Sequence, residues 1–308
     1  MQKILVTPRS VTRHGHPSLK RLEAAGFEVV FCRPGELPSD EELRRLLPGC
    51  VGYVAGVEPI RAKVLESTQG LKVISRNGTG VDAIDMESAK RLGIQVLRAQ
   101  GANARGVAEL TMGLILALAR SVTACDRAMK TGKWERSSGF ELEEKTLGLV
   151  GCGRVGRLVT GFALAFGMRV ISHDPIAEWE NAPEGFSFAE LDDVFRRSDV
   201  LSLHCPPASD GKALLDREVI ERLKPGVLVI NTARGGLIDP DAMLQALEKR
   251  QVAGLGLDAF EEEPPNDRRL VEHPRVIATP HIGGYTSQSI DRAMDVAVDN
   301  LLQALSVA

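Results

Sequence analysis

Leu147-Gly148-Leu149-Val150-Gly151-Cys152-Gly153-Arg154-Val155-Gly156 is the stretch on which the fold turns. A short apolar run without charge reads as a buried strand over 146–150. Glycines then follow in the G-x-G-x-x-G spacing, and a helical run over 154–166 opens behind them. In such a turn Gly151 permits the tight reversal, Gly153 lets a pyrophosphate approach the backbone, and Gly156 lets helix and strand pack closely. The amides of Arg154 and Val155 face the phosphates at the helix start, where the dipole favours negative charge. A second strand over 169–172 leads to Asp174, 18 residues after Gly156. A carboxylate there accepts hydrogen bonds from ribose hydroxyls and repels a 2′-phosphate, which predicts NAD rather than NADP. Taken singly these signals are weak, because glycine-rich turns share the spacing and an Asp before Pro175 can be a cap.

Outward from this motif, strand-like and helix-like segments alternate in both directions. Before it, strands at 3–7, 28–31, 51–55, 71–75 and 94–97 are separated by helices at 18–25, 39–47, 60–68 and 85–92. After it, strands at 200–204, 227–231, 254–257 and 276–278 are separated by helices at 189–196, 217–223 and 240–249. Alternation of this kind marks βαβ units, so the predicted class is α/β with two doubly wound parallel-sheet domains. One long helix is predicted over 104–131, with Gly132 as its stop, and an amphipathic helix over 287–305 ends the chain.

Composition narrows the partners. With 308 residues the chain can bury two cores, and at 4% aromatic content those cores are aliphatic. The formal charge is -3 with both signs interspersed, so no basic block points to nucleic acid. No apolar run approaches the length of a membrane span, and the start of the chain is too short an apolar run for a signal peptide. The five cysteines, Cys32, Cys50, Cys125, Cys152 and Cys205, are scattered and odd in number. They suit neither a disulfide framework nor a metal site, and free thiols predict a cytoplasmic protein.

Three further pieces place polar groups just beyond predicted strands, where ligands bind in open α/β sheets. In Asn231-Thr232-Ala233-Arg234-Gly235-Gly236 the guanidinium of Arg234 offers a fork suited to a carboxylate, although most arginines make surface ion pairs. Asp258-Ala259-Phe260-Glu261-Glu262-Glu263 carries three adjacent glutamates, which residue physics alone does not rank. Thr279-Pro280-His281-Ile282-Gly283-Gly284 carries a histidine between a proline and two glycines, which fix the loop and keep its neighbours small.

Together with Gly78-Thr79-Gly80-Val81-Asp82, Ala108-Glu109-Leu110, Gly132-Lys133-Trp134-Glu135-Arg136 and Leu203-His204-Cys205-Pro206, these pieces closely resemble the D-isomer-specific 2-hydroxyacid dehydrogenase family over nearly the whole chain. Its phosphoglycerate dehydrogenase branch is the most similar. The resemblance implies a flavodoxin-like substrate-binding domain over 1–97 plus 285–308 and a Rossmann NAD-binding domain over 98–284, with the active site in a hinged cleft and a homodimer paired through the long helix. It implies His281 as acid/base, Glu263 as its partner and Arg234 as the residue holding the carboxylate and keto oxygen. Thr79, Cys205, Thr232, Ala233, Asp258, Gly283 and Gly284 would line NAD beside Gly151, Gly153, Arg154, Val155, Gly156 and Asp174. Arg76, Asn77, Gly78, Gly80 and Val81 would cradle the substrate.

The implied reaction is hydride transfer between the nicotinamide and carbon-2 of a 2-hydroxy or 2-keto carboxylate, with no metal. For D-3-phosphoglycerate, and so a place in serine biosynthesis, the branch carries an arginine after the third strand. Ala55-Gly56-Val57-Glu58 has no cation there, leaving Arg76 and Arg136. The chain ends at Ala308, without the C-terminal regulatory domain of serine-inhibited members, which predicts weak or no feedback by serine. Glyoxylate/hydroxypyruvate reductase or another D-2-hydroxyacid dehydrogenase is the alternative, and an NADH-sensing corepressor-like binder is the alternative of another class.

Overall fold

The computed structural model describes residues 1–208 and 210–306. The chain divides into two compact units, 1–103 with 284–308 and 104–283.

In the first unit, strands β1 (Lys3–Val6), β2 (Glu28–Phe31), β3 (Cys50–Ala55), β4 (Val73–Arg76) and β5 (Gln95–Arg98) form one parallel sheet in the order β2-β1-β3-β4-β5. Alternation along β1 sends Leu5 to one face and Ile4 and Val6 to the other, all three fully buried. The helix Ser287–Ser306 covers the second of these faces. Its Met294, Ala297, Val298 and Leu301 recur at one-turn spacing and join the same apolar cluster as Ile4 and Val6. Helix starts follow the capping chemistry. Ser39 accepts from the Glu42 amide (3.2 Å) and Asp85 from the Ser88 amide (2.8 Å), each cap contributing about 1 kcal/mol.

The second unit holds β6 (Thr146–Val150), β7 (Arg169–His173), β8 (Phe186–Phe188), β9 (Val200–Leu203), β10 (Val227–Asn231), β11 (Val252–Leu257) and β12 (Val276–Ala278). They are parallel throughout, in the order β12-β11-β10-β9-β6-β7-β8. The chain winds outward from β6 through β7 to β8, then returns to the other side of β6 with β9. This is the doubly wound order of a Rossmann sheet, extended by one strand. The α/β class with two parallel-sheet units is therefore as the sequence predicts.

The long helix predicted over 104–131 is two helices, Ala104–Ala119 and Val122–Lys130, bent by 65°. Ser121 sits in the left-handed region (φ 52°), which ends helical continuity. The amide of Phe140 donates to the carbonyl of Ala119 (3.0 Å) and takes one of the acceptors that a continuous helix would use. Ala104–Ala119 lies in the core, with Ala108, Met112, Leu114 and Ile115 buried, whereas Val122–Lys130 buries no residue. No single helix among the described residues is long and apolar enough to cross a membrane.

Candidate active site

Strands β6 and β9 are neighbours whose following segments wind to opposite sides, so their carboxyl ends form the switch point of the second unit. Each glycine of the loop after β6 has its own surroundings. Gly151 has φ +104°, and a Cβ there would stand 2.5 Å from the His204 carbonyl oxygen at the end of β9. A Cβ on Gly156 would stand 2.4 Å from the Gly151 carbonyl oxygen. Two glycines are thus demanded by the chain's own packing. Gly153 differs, because a Cβ there would meet nothing within 4 Å. Its smallness leaves open space directly before the start of the helix Arg154–Ala165, at the end of the helix dipole that attracts an anion. The site therefore fits the pyrophosphate of a dinucleotide.

Asp174, just past β7, accepts from the Cys152 amide (2.8 Å) with one oxygen and from the Ile176 and Ala177 amides (3.1 and 3.0 Å) with the other. Partial burial disfavours its charge, but these three amides outweigh it and hold the carboxyl below its usual value. A charged acceptor thus stands beside the glycine loop and is tied to it. His204 and Cys205 follow β9. The Ser202 hydroxyl lies 2.9 Å from His204 Nε2, and although an edge of the residue reaches solvent, burial of the ring pushes its pKa down to about 4. Burial pushes the Cys205 thiol up to about 11, so it stands as an unreactive neutral wall at neutral pH.

The next three strands, β10, β11 and β12, are successive neighbours, and their carboxyl ends carry Thr232–Arg234, Asp258–Glu263 and His281. The His281 ring presents Nδ1 to Glu263 at 2.8 Å from each carboxylate oxygen. One of these oxygens also accepts the Phe260 amide (3.1 Å). A proton on Nδ1 shared with this carboxylate leaves Nε2 as the nitrogen that can exchange a proton with a ligand.

His281 itself has φ 53°, a conformation that costs a non-glycine residue roughly 1–3 kcal/mol. The buried carboxylate of Asp258 clamps both flanks of the turn. One oxygen accepts from the Thr279 hydroxyl (2.6 Å) and the Ile282 amide (2.8 Å), the other from the Gly283 amide (2.7 Å). A Cβ on Gly283 would crowd that oxygen at 2.9 Å.

Arg234 is set by residues to which sequence reasoning assigns no role. The fully buried Asn231 donates to the Arg234 carbonyl (2.7 Å), accepts the Ala233 amide (3.0 Å), and its own carbonyl takes the Asp258 amide (3.0 Å). Gly235 lies so close to Phe260 and Glu261 that a Cβ would stand 2.0 Å from the Glu261 nitrogen. The arginine loop is thereby packed onto the glutamate loop. Thr111, on the helix Ala104–Ala119, lies with its hydroxyl 2.9 Å from that of Thr232. An asparagine ending a buried strand is the one signal by which this clamp could have been found.

Thr79, Gly284 and the stretch 76–81 belong to the first unit. There, Thr79 donates to the Asn103 side chain (3.0 Å), a Cβ on Gly284 would meet the same asparagine at 2.9 Å, and Arg76 donates to the Asn77 carbonyl (2.6 Å). Among the described residues the amides of Thr79, Gly80 and Val81 donate no hydrogen bond, the condition of a backbone nest that takes an anion.

A family profile described as "D-isomer specific 2-hydroxyacid dehydrogenase, NAD binding domain" matches residues 112–283. The chain is 40% identical over 273 residues to a hydroxypyruvate reductase of Thermotoga maritima, covering 87% of this chain and 89% of that one. It is 40% identical over 277 residues to the D-3-phosphoglycerate dehydrogenase of Homo sapiens, covering 89% of this chain but 51% of that one, so it spans about half of that relative. The crystal structure of a protein from Thermus thermophilus superposes with a TM-score of 0.88 at 36% identity, over 99% of this chain and 97% of that one.

Proposed function

Because the chain belongs to the D-isomer-specific 2-hydroxyacid dehydrogenases, a family of NAD-dependent oxidoreductases, we propose that it interconverts a small D-2-hydroxy acid and its 2-keto acid with His281, Glu263 and Arg234 as its catalytic residues. The observation that carries this reading is the imidazole–carboxylate pair, 2.8 Å apart, on the strand ends next to the arginine loop.

NAD, when bound, supplies or accepts the hydride at its nicotinamide ring. Gly151, Gly153, Arg154, Val155 and Gly156 would hold its pyrophosphate and Asp174 its ribose, with Thr79, Cys205, Thr232, Ala233, Asp258, Gly283 and Gly284 lining it. In reduction the His281 imidazolium gives its Nε2 proton to the C2 oxygen, and in oxidation the neutral ring takes it back. Glu263 keeps Nδ1 engaged, which leaves Nε2 as the nitrogen that exchanges the proton. Arg234 pairs its planar fork with the substrate's carboxylate and polarises the C2 oxygen. Arg76, Asn77, Gly78, Gly80 and Val81 serve as substrate-binding residues, and the three undonated amides support a carboxylate there.

The test follows the absorbance of the reduced nicotinamide with a panel of 2-keto acids and D-2-hydroxy acids, phosphorylated and not. Turnover of glyoxylate, hydroxypyruvate or 3-phosphohydroxypyruvate is expected, and no turnover of any member would refute the reading. Two substrate readings remain within it. The match to a hydroxypyruvate reductase favours an unphosphorylated acid, and the match to D-3-phosphoglycerate dehydrogenases favours D-3-phosphoglycerate and a step of serine biosynthesis.

The reading includes a cytoplasmic homodimer. It is supported by the free cysteines and by the helix Val122–Lys130, which buries nothing and exposes Val122 and Met129 ahead of the exposed Trp134. Sedimentation should give twice the monomer mass of 33.3 kDa, and a sharp monomer would remove the dimer from the reading.

A further inference from the structure

Cys152, between the first two glycines of the loop after β6, is tied on both sides of its backbone. It is fully buried, its amide donates to Asp174 (2.8 Å), and its carbonyl accepts from Nε of Arg157 (3.2 Å). Arg157 is the fourth residue of the helix Arg154–Ala165 and directly follows the last glycine of the motif. Its Nη2 donates to a second carbonyl, that of Glu178 (2.6 Å), and its guanidinium stands 4.9 Å over the ring of Trp179. Trp179 rests in turn on Phe186 at the start of β8, with ring centroids 5.0 Å apart. An exposed helix arginine ordinarily pairs with a carboxylate. Among the described residues this exposed one is held by two carbonyls and an aromatic face.

These contacts close a ring. It runs from Cys152 through Asp174 to the Ile176 and Ala177 amides, along the backbone to Glu178, and back through Arg157. The loop that opens the helix and the loop that carries the acidic acceptor are thus joined twice, once by Asp174 and once by Arg157. The second joint also sets a direction. The Cys152 carbonyl and the Gly153 N–H belong to one trans peptide unit, in which they point opposite ways. Holding the carbonyl toward Arg157 therefore aims the Gly153 N–H away from it, and among the described residues that amide donates no hydrogen bond. Gly153 is also the glycine with open space around it. No other described donor reaches the Cys152 carbonyl, so this orientation depends on Arg157.

We propose that Arg157 is a positioning residue for the dinucleotide: by bridging the Cys152 and Glu178 carbonyls it aims the Gly153 amide at the pyrophosphate and holds the Asp174 loop for the ribose. This rests on the reading of the glycine loop and Asp174 as the NAD site. The role needs no contact of Arg157 with substrate or nicotinamide, and its effect is on affinity. Loops ordered before the ligand arrives bind it more tightly, because less ordering remains to be done on association. The planar fork is the feature that matters. A lysine ammonium carries the same charge but is a point donor on a flexible stem, unable to span both carbonyls in this way.

The experiment measures the dissociation constants of NADH, by cofactor fluorescence, and of ADP-ribose, by calorimetry, for the unaltered protein, Arg157→Met and Arg157→Lys. ADP-ribose keeps the pyrophosphate and lacks the nicotinamide, so it reads this end of the site alone. Arg157 is exposed, so both variants should keep the core, and Trp179→Leu, which removes only the stacking partner, serves if either fails to fold. Met and Lys are each expected to weaken both ligands roughly 10-fold. With hydroxypyruvate as substrate, the KM for NADH should rise by the same factor while kcat at saturating NADH is kept. The factor should be equal at low and high salt, because a geometric bridge is not screened as a charge is. Trp179→Leu should weaken both ligands by about 2- to 5-fold. Affinities unchanged in the variants, full restoration by lysine, a factor that vanishes at high salt, or a kcat that falls as far as KM rises would each overturn the proposal. Absent binding of both ligands by the unaltered protein would refute the cofactor reading and this role with it, whereas binding indifferent to Arg157 refutes the positioning role alone.

Discussion

The two units repeat one architectural device and give it opposite chemistry. In the second unit the switch point between β6 and β9 is lined by donors, with Gly153 opening onto the first turn of the helix Arg154–Ala165. In the first unit the segment after β3, at the switch point between β1 and β3, carries the buried carboxylate of Glu58, one oxygen of which has no hydrogen-bond partner, and the neighbouring strand β4 is followed by Asn77 with a second such oxygen. Both follow from a parallel sheet whose carboxyl ends splay apart where the winding reverses. The sheet decides where a ligand sits, and the first two or three residues beyond each strand decide what it is. Smallness matters at one (Gly153) and a buried, half-matched carboxyl group at the other (Glu58).

The largest effect that sharpens this contrast concerns which unit owns the chemistry. Replacing His281 by alanine should reduce turnover by roughly 100- to 10,000-fold while NADH binding, followed by cofactor fluorescence, persists. Near-normal turnover would mean that the proton transfer lies elsewhere and that the donor-lined unit only binds. Smaller is the effect of filling the donor-lined end itself. Gly153→Val adds a side chain where nothing stands within 4 Å and where the backbone is extended, so folding should be kept. NADH affinity should fall on the order of 10- to 100-fold because the amides at the helix start lose their access to phosphate. An unchanged dissociation constant would sever the glycine loop from the cofactor.

Much of this was legible because the signals were local. The glycine spacing lies within ten residues, and Thr232-Ala233-Arg234, the glutamates and His281 each follow a strand that β-rich runs already mark. Once the sheet is parallel, those three pieces must share one edge. What escaped depends on residues distant in the chain. The break at Ser121 draws on the Phe140 amide, which no window around the helix contains. The helix Arg9–His14 escaped because only Val11 is buried, leaving no apolar period to read. Glu58 looked like an absent cation in a short loop. Its significance comes from Thr7 and Tyr53, which surround one of its oxygens and leave the other alone.

The carboxylate of Asp174 beside the glycine loop allows a milder test. Asp174→Asn keeps the size of the side chain and removes its charge, so the preference for NADH over NADPH in kcat/KM should narrow by roughly 10-fold. A preference that does not move would assign Asp174 to the loop alone. Its three amide partners show that it has that second task. The same lowered pKa makes the carboxylate a source of stability above the usual Asp range, lost as pH falls through the folded value.

A further test separates the units by pH. The His204 ring is held neutral, with a folded pKa of about 4 against 6.5 for a free histidine. The unfolded chain therefore binds the extra proton first as pH falls. Stability from this group is complete above 6.5 and is lost progressively between there and about 4, by at most about 3 kcal/mol. That loss belongs to the second unit, since His204 follows β9. Hydrogen exchange at pH 7 and pH 5 should show protection falling in β6, β9 and β10 more than in β1 and β3, and His204→Gln should reduce the difference. Equal loss of protection in both sheets, unchanged by that substitution, would mean that acid acts on the carboxylates common to both units and that the buried imidazole contributes nothing of its own.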